Sequence, residues 1–86
     1  MPVISRFFGI VIRIHFREHA PPHFHAQYGD EAASIAIGDF AVLEGRLHPR
    51  VLGLVMEWAA LHNAELLVDW QRALAGQQPH PIAPLH

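Results

Sequence analysis

The chain has no cysteine and no lysine. Without cysteine there is no disulfide framework and no zinc site built on thiolates. Without lysine, all fixed positive charge rests on six arginines. A surface for loose, non-specific binding along a duplex would carry more. No stretch approaches the ~18 consecutive apolar residues of a membrane span, so no membrane partner is expected. The start, Met1-Pro2-Val3-Ile4-Ser5-Arg6, has no basic region followed by a long apolar run. A cytoplasmic protein is therefore the expectation. Internal repeats and low-complexity tracts are also lacking.

What is present is apolar. Hydrophobic residues make up 51% of the 86. That is enough for one modest core, so a single domain over 1–86 is expected. Charge is unevenly spread within a net −2. Residues 1–29 hold Arg6, Arg13 and Arg17 against Glu18 alone, together with four of the eight histidines. Residues 30–86 hold three arginines against seven acids. The first third can attract an anion; the remainder cannot.

The periodicity changes once along the chain. Alternation from Ile10 predicts a strand over about 8–17, with Ile10, Ile12, Ile14 and Phe16 on one face. Val11, Arg13, His15 and Arg17 take the other. A strand over 23–28 follows a proline-bearing loop. Tyr28-Gly29-Asp30-Glu31 reads as a two-residue hairpin. A strand over 31–37 turns back through Gly38-Asp39 into another over 40–44. Ala32, Ser34 and Ala36 leave the outer face of that part thin. His48-Pro49 then opens a helix, proline being suited to the first helical position. Helices are expected over about 49–62 and 64–75, with Asn63 as a cap or kink and Gly76 as a stop. Trp58 and Trp70 fall in the apolar helical stripe and are expected in the core or at an interface. Glu57 and Asp69 are expected to be solvated helix charges. Residues 77–86, with Pro79, Pro81 and Pro84, read as an extended tail.

The most suggestive stretch is His19-Ala20-Pro21-Pro22-His23-Phe24-His25. Side chains on a strand alternate faces, so His23 and His25 point together, ~7 Å apart, and Phe24 points away. His15 and the arginines Arg13 and Arg17 are expected on the same face. Three readings follow. His23 and His25, with His15 or His19 as a third ligand, suit a divalent transition metal. On that reading a well-placed carboxylate is missing, for Glu18 and Asp30 only flank the stretch. Alternatively, His15, His23, His25, Arg13 and Arg17 hold a phosphodiester and shuttle protons without any cofactor. The structural reading has the histidines bonding backbone carbonyls and the arginines pairing with Glu18 or Glu31.

Several runs resemble a small bacterial family, domain of unknown function 4160. They are Ile4-Ser5-Arg6-Phe7-Phe8-Gly9-Ile10, Pro21-Pro22-His23-Phe24-His25-Ala26, Val42-Leu43-Glu44-Gly45 and Glu57-Trp58-Ala59-Ala60-Leu61-His62. The Pro-Pro-His-Phe-His-Ala run is the specific one. The sequence departs from the family pattern at the short turn Gly38-Asp39, at Asp69 where an amide is common, and in a tail without lysine. Members are often encoded beside a protein of domain of unknown function family 2442, in pairs that resemble toxin–antitoxin modules. The resemblance implies a protein partner encoded by a neighbouring gene and a toxin-like role.

The expected architecture is α+β: an antiparallel meander of three to four strands with two C-terminal helices packed on one face. The His/Arg face stays open. An open sheet favours a homo-oligomer or a heteromer. The expected function is a toxin-like component acting on nucleic acid or another phosphate-bearing target through that face. The alternative is a non-enzymatic interaction or metal-binding module.

Overall fold

Alternation along Ile10, Ile12 and Ile14 gives three fully enclosed side chains. They belong to an antiparallel sheet that a computed structural model describes within residues 2–86. The strands are β1 (Val3–Phe7), β2 (Ile10–Arg13), β3 (His23–Tyr28), β4 (Glu31–Ala36) and β5 (Val42–Arg46). They lie side by side in chain order. Helices α1 (Pro49–Leu61) and α2 (Asn63–Leu74) follow. The class is α+β, but the meander has five strands rather than three to four.

The extra strand is β1, which precedes the segment expected as one strand over 8–17. That segment contains a hairpin turn, Phe8-Gly9, and its strand ends at Arg13. Both turn residues have positive φ, 50° and 79°. Such a pair suits a tight hairpin, but phenylalanine is an unusual occupant of the first position. Glycine at the second lets the Tyr28 ring lie 3.3 Å from where a Cβ would stand. β1 pairs Ser5 with Ile12 and Phe7 with Ile10, with an irregularity at Ile4. Ile4, Phe7, Ile10 and Ile12 are all buried in one core.

β5 also differs from its expected span over 40–44. The connection is longer than Gly38-Asp39. It closes with the Ala36 amide donating to the Ala41 carbonyl at 2.8 Å, and Phe40 takes φ 59°. Leu43 is then bulged, since Ser34 pairs with Glu44 and Ile35 with Val42. Gly45 continues the strand with φ 76°, where a Cβ would collide with the Ala32 carbonyl oxygen.

Both helices cover the face that carries Phe24, Ala26, Ala33 and Ile35. Val51, Val55, Trp58 and Ala59 come from α1, and Leu66, Trp70 and Ala73 from α2; all are buried. The Trp58 ring meets Phe7 at 5.4 Å and Phe24 at 5.9 Å. The helices bend by 86° where they join. Among the described residues no single helix is long and apolar enough to cross a membrane. The tail is packed. The His80 amide bonds Asp69 at 2.8 Å, the Ile82 amide bonds the Ile4 carbonyl at 2.7 Å, and the Trp58 indole N–H bonds the Ala83 carbonyl at 2.8 Å. Asp69 is therefore not a solvated helix charge: it is 1% exposed. Its place opposite the returning tail, invisible in helical periodicity, buries it. Glu57 is exposed as expected.

Ile82 is 5% exposed and Leu74 51%. Replacing Ile82 by Ala removes buried methyls and leaves a cavity, at an expected cost of about 2–4 kcal/mol. Leu74→Ala is expected to cost well under ~1 kcal/mol. Urea midpoints of the two variants check this. Equal midpoints would mean that the tail contributes no core.

Candidate metal centre

Four strands and one loop bring the site together. Arg13 on β2 pairs with His25 on β3, His25 with Ser34 on β4, and Ser34 with Glu44 on β5. These four side chains form one row across the open face. His23 stands two residues from His25 on the same face. His15 follows β2 and lies flat on His25, ring centroids 3.8 Å apart and planes 9° apart. The rings of His23 and His25 are 5.1 Å apart, edge to face.

The loop supplies the carboxylate. Arg17 takes φ 52° and reverses the chain just after Phe16. Its amide donates to the Ala73 carbonyl of α2 at 3.1 Å, which pins the turn. Glu18 is thereby folded back over His15. Its Oε1 lies 2.9 Å from His15 Nδ1, 2.8 Å from His25 Nε2 and 3.7 Å from His23 Nε2. Glu18 is thus the carboxylate that sequence reasoning found missing. Alternation along a strand hides it, because the strand has already ended. A signal was available in its i,i+3 spacing from His15, which places it near that ring once the chain turns.

The expected residues divide. His15, His23 and His25 are brought together. Arg13 stays beside them, with Nη1 donating to Gln27 Oε1 at 2.8 Å. Arg17 does not join them: its guanidinium lies against Gly76, where a Cβ would collide with it. The expectation failed because the strand stops at Arg13 and alternation no longer holds at Arg17. His19 is exposed in the loop, outside the cluster. Neither Arg13 nor Arg17 pairs with Glu18, whose partners are the imidazoles.

Proton placement follows from the partners. A carbonyl only accepts, so His23 Nδ1–H donates to the Pro21 carbonyl at 2.7 Å. In the neutral ring this leaves a lone pair on Nε2, facing the Glu18 oxygen. Two acceptors face each other, an arrangement that a proton or a metal ion between them relieves. His25 Nδ1 meets Ser34 Oγ at 3.2 Å. The Glu18 carboxylate only accepts, so His25 Nε2–H donates to it at 2.8 Å, and in the neutral ring Nδ1 accepts from the Ser34 hydroxyl. Such outer contacts to a carbonyl and a hydroxyl orient metal-ligating imidazoles. One ligand atom each from His15, Glu18 and His25 lies within 4.8 Å of the others. That is a two-imidazole, one-carboxylate set, with His23 next to it.

Burial chiefly lowers the His15 pKa, the neighbouring His25 adds to this, and Glu18 opposes it. For Glu18, burial pushes upward. The hydrogen bond from His25 and the attraction of His25, His23 and His15 outweigh it, and the carboxyl sits below its ordinary value.

Both shifts link stability to pH in the same direction. The contribution of a depressed His15 is present above its ordinary 6.5 and is lost as pH falls through its lowered value in the fold. That of Glu18 is present above 4.5 and is lost as pH falls through its own lowered value. Glu18→Gln removes the lower loss. It leaves the upper one, which deepens because nothing now pulls His15 upward. Urea midpoints from about pH 7.5 down to 3.5, a span chosen to bracket both ordinary values, measure the difference between the curves. Parallel curves for wild type and variant would contradict this linkage.

No curated protein and no solved structure matches the chain. A family model does, that of Domain of unknown function (DUF4160), over residues 9–71. The match takes in Arg13, His15, Glu18, His23 and His25, and also the Trp58 and Trp70 helices. The chain belongs to that family of unknown function.

Proposed function

We propose that the chain is a metal-binding module for a divalent transition ion, with Glu18, His15 and His25 as ligands and His23 completing the set. The observation that carries this is the convergence of three imidazoles on one carboxylate oxygen. Imidazole and carboxylate together suit zinc, copper, nickel or iron. Three or four protein ligands on an open sheet face leave room for a further ligand. A pocket of about 240 Å³ adjoins the centre, with His23, His25, Ser34 and Glu44 among its lining residues.

A second reading keeps the toxin-like role on a phosphate-bearing target. It is favoured by Arg13, which shares a pocket with His15 and His25. On either reading a partner is proposed, a second copy or a neighbouring gene's product. What supports it is β5, an edge strand exposed throughout, with Val42 and Leu43 bare at 41% and 44%.

Untagged protein titrated with Co²⁺ or Zn²⁺ is expected to take up one equivalent. Glu18→Ala and His25→Ala are expected to weaken uptake by about tenfold or more, in line with loss of a ligand. Arg13→Ala leaves it unchanged. Affinity falls as pH drops below about 6.5, since only neutral imidazole coordinates. Failure to bind either ion above a ligand-free control ends the metal reading. The toxin reading has its own test. Induced expression should slow growth, and Arg13→Ala should relieve it in a chain that still binds metal. Growth unaffected by expression removes that reading.

A further inference from the structure

A separate pocket, of about 290 Å³, lies between the first turns of α2 and the returning tail, lined by none of His15, Glu18, His23 and His25. Ala64, Val68, Pro81 and Ile82 form apolar walls, and Glu65, Asp69 and His80 are its polar groups. Asp69 is 1% exposed. Its Oδ1 accepts the His80 amide at 2.8 Å, but its Oδ2 is buried with no partner. The nearby Arg72 does not fill that gap, as its Nε is committed to the Gln78 carbonyl at 2.8 Å. The carboxyl is pushed up by burial, and the His80 amide bond and the charges of His80 and Arg72 only partly counter this.

We propose that this pocket binds small organic cations, a protonated amine or amidine carried on a short apolar body. The walls suit the body. The buried carboxylate suits the head, because a cationic N–H donor supplies the partner that Oδ2 lacks and the countercharge that burial denies it. Glu65 at the rim adds attraction for a cation and repels an anion. The volume lies at the lower end of the ligand-pocket range, which limits the guest to fragment size. An apolar pocket ending on an ionisable group with an altered affinity for protons is the usual form of a small-molecule site.

Benzamidine and its neutral isostere benzamide test the proposal on the whole chain by amide-resolved NMR titration. Benzamidine is expected to shift Ala64, Val68, Asp69 and His80 amides saturably, and benzamide to bind about tenfold more weakly or worse. Asp69→Asn should bring the two ligands to parity. Ala64→Phe fills the mouth from an exposed helical position, keeps the carboxylate, and should abolish both titrations. Equal binding of the two ligands to wild type overturns the proposal. So does binding retained in Ala64→Phe, or no saturable shift with benzamidine.

Discussion

Trp58 is the side chain on which the two layers depend. It is fully buried. Its ring contacts Phe7 of β1 and Phe24 of β3, and its N–H holds the tail at Ala83. One indole thus ties α1, the sheet and the C-terminal segment together. Removing a buried ring of this size typically costs about 3–5 kcal/mol. The whole stability of a domain is only about 5–15 kcal/mol. A small domain with no disulfide has few other places to find that much.

The same packing sets the site. Phe24 is clamped under Trp58, so His23 and His25, its neighbours in β3, must face the other side. His23 is then trapped between the Pro21 carbonyl and the Trp70 ring, whose centroid is 5.1 Å away. The loop bearing Glu18 is braced from α2 through the Arg17 amide and the Ala73 carbonyl. Helix α2 therefore touches the centre twice, through Trp70 and through the loop. Tightening the centre and docking α2 are mechanically coupled, because one helix carries both contacts.

How much of this the sequence carries depends on the range of the interaction. Alternation along Ile10, Ile12 and Ile14, and the His-x-His step, are local patterns, and they place core and imidazoles correctly. Pro49 opens α1 by a local rule as well. Phe8-Gly9 defeats the same rules, since a phenylalanine with positive φ has no turn signature. Glu18 and Arg17 depend on where β2 stops and on the turn after it, and the brace that pins that turn comes from Ala73, far along the chain. Asp69 is buried by a tail whose course no helical periodicity contains. The candidate site was legible in its imidazoles and not in its carboxylate.

That carboxylate changes the electrostatic meaning of the cluster. With Arg13 and Arg17 both beside three histidines, the face would be an anion trap. In the fold, Arg17 lies on Gly76, Arg13 is hydrogen-bonded to Gln27, and the charge at the middle is Glu18. A phosphate approaching the three imidazoles meets a carboxylate oxygen already 2.8–2.9 Å from two of them. It would have to displace that oxygen and then bear its repulsion at close range, where screening by salt is weakest. A cation faces the reverse situation. It gains the carboxylate, and it relieves the opposed lone pairs of His23 Nε2 and Glu18 Oε1. The position of a single acid, held by a turn with one residue of positive φ, is what supports the cation reading proposed above over an anion.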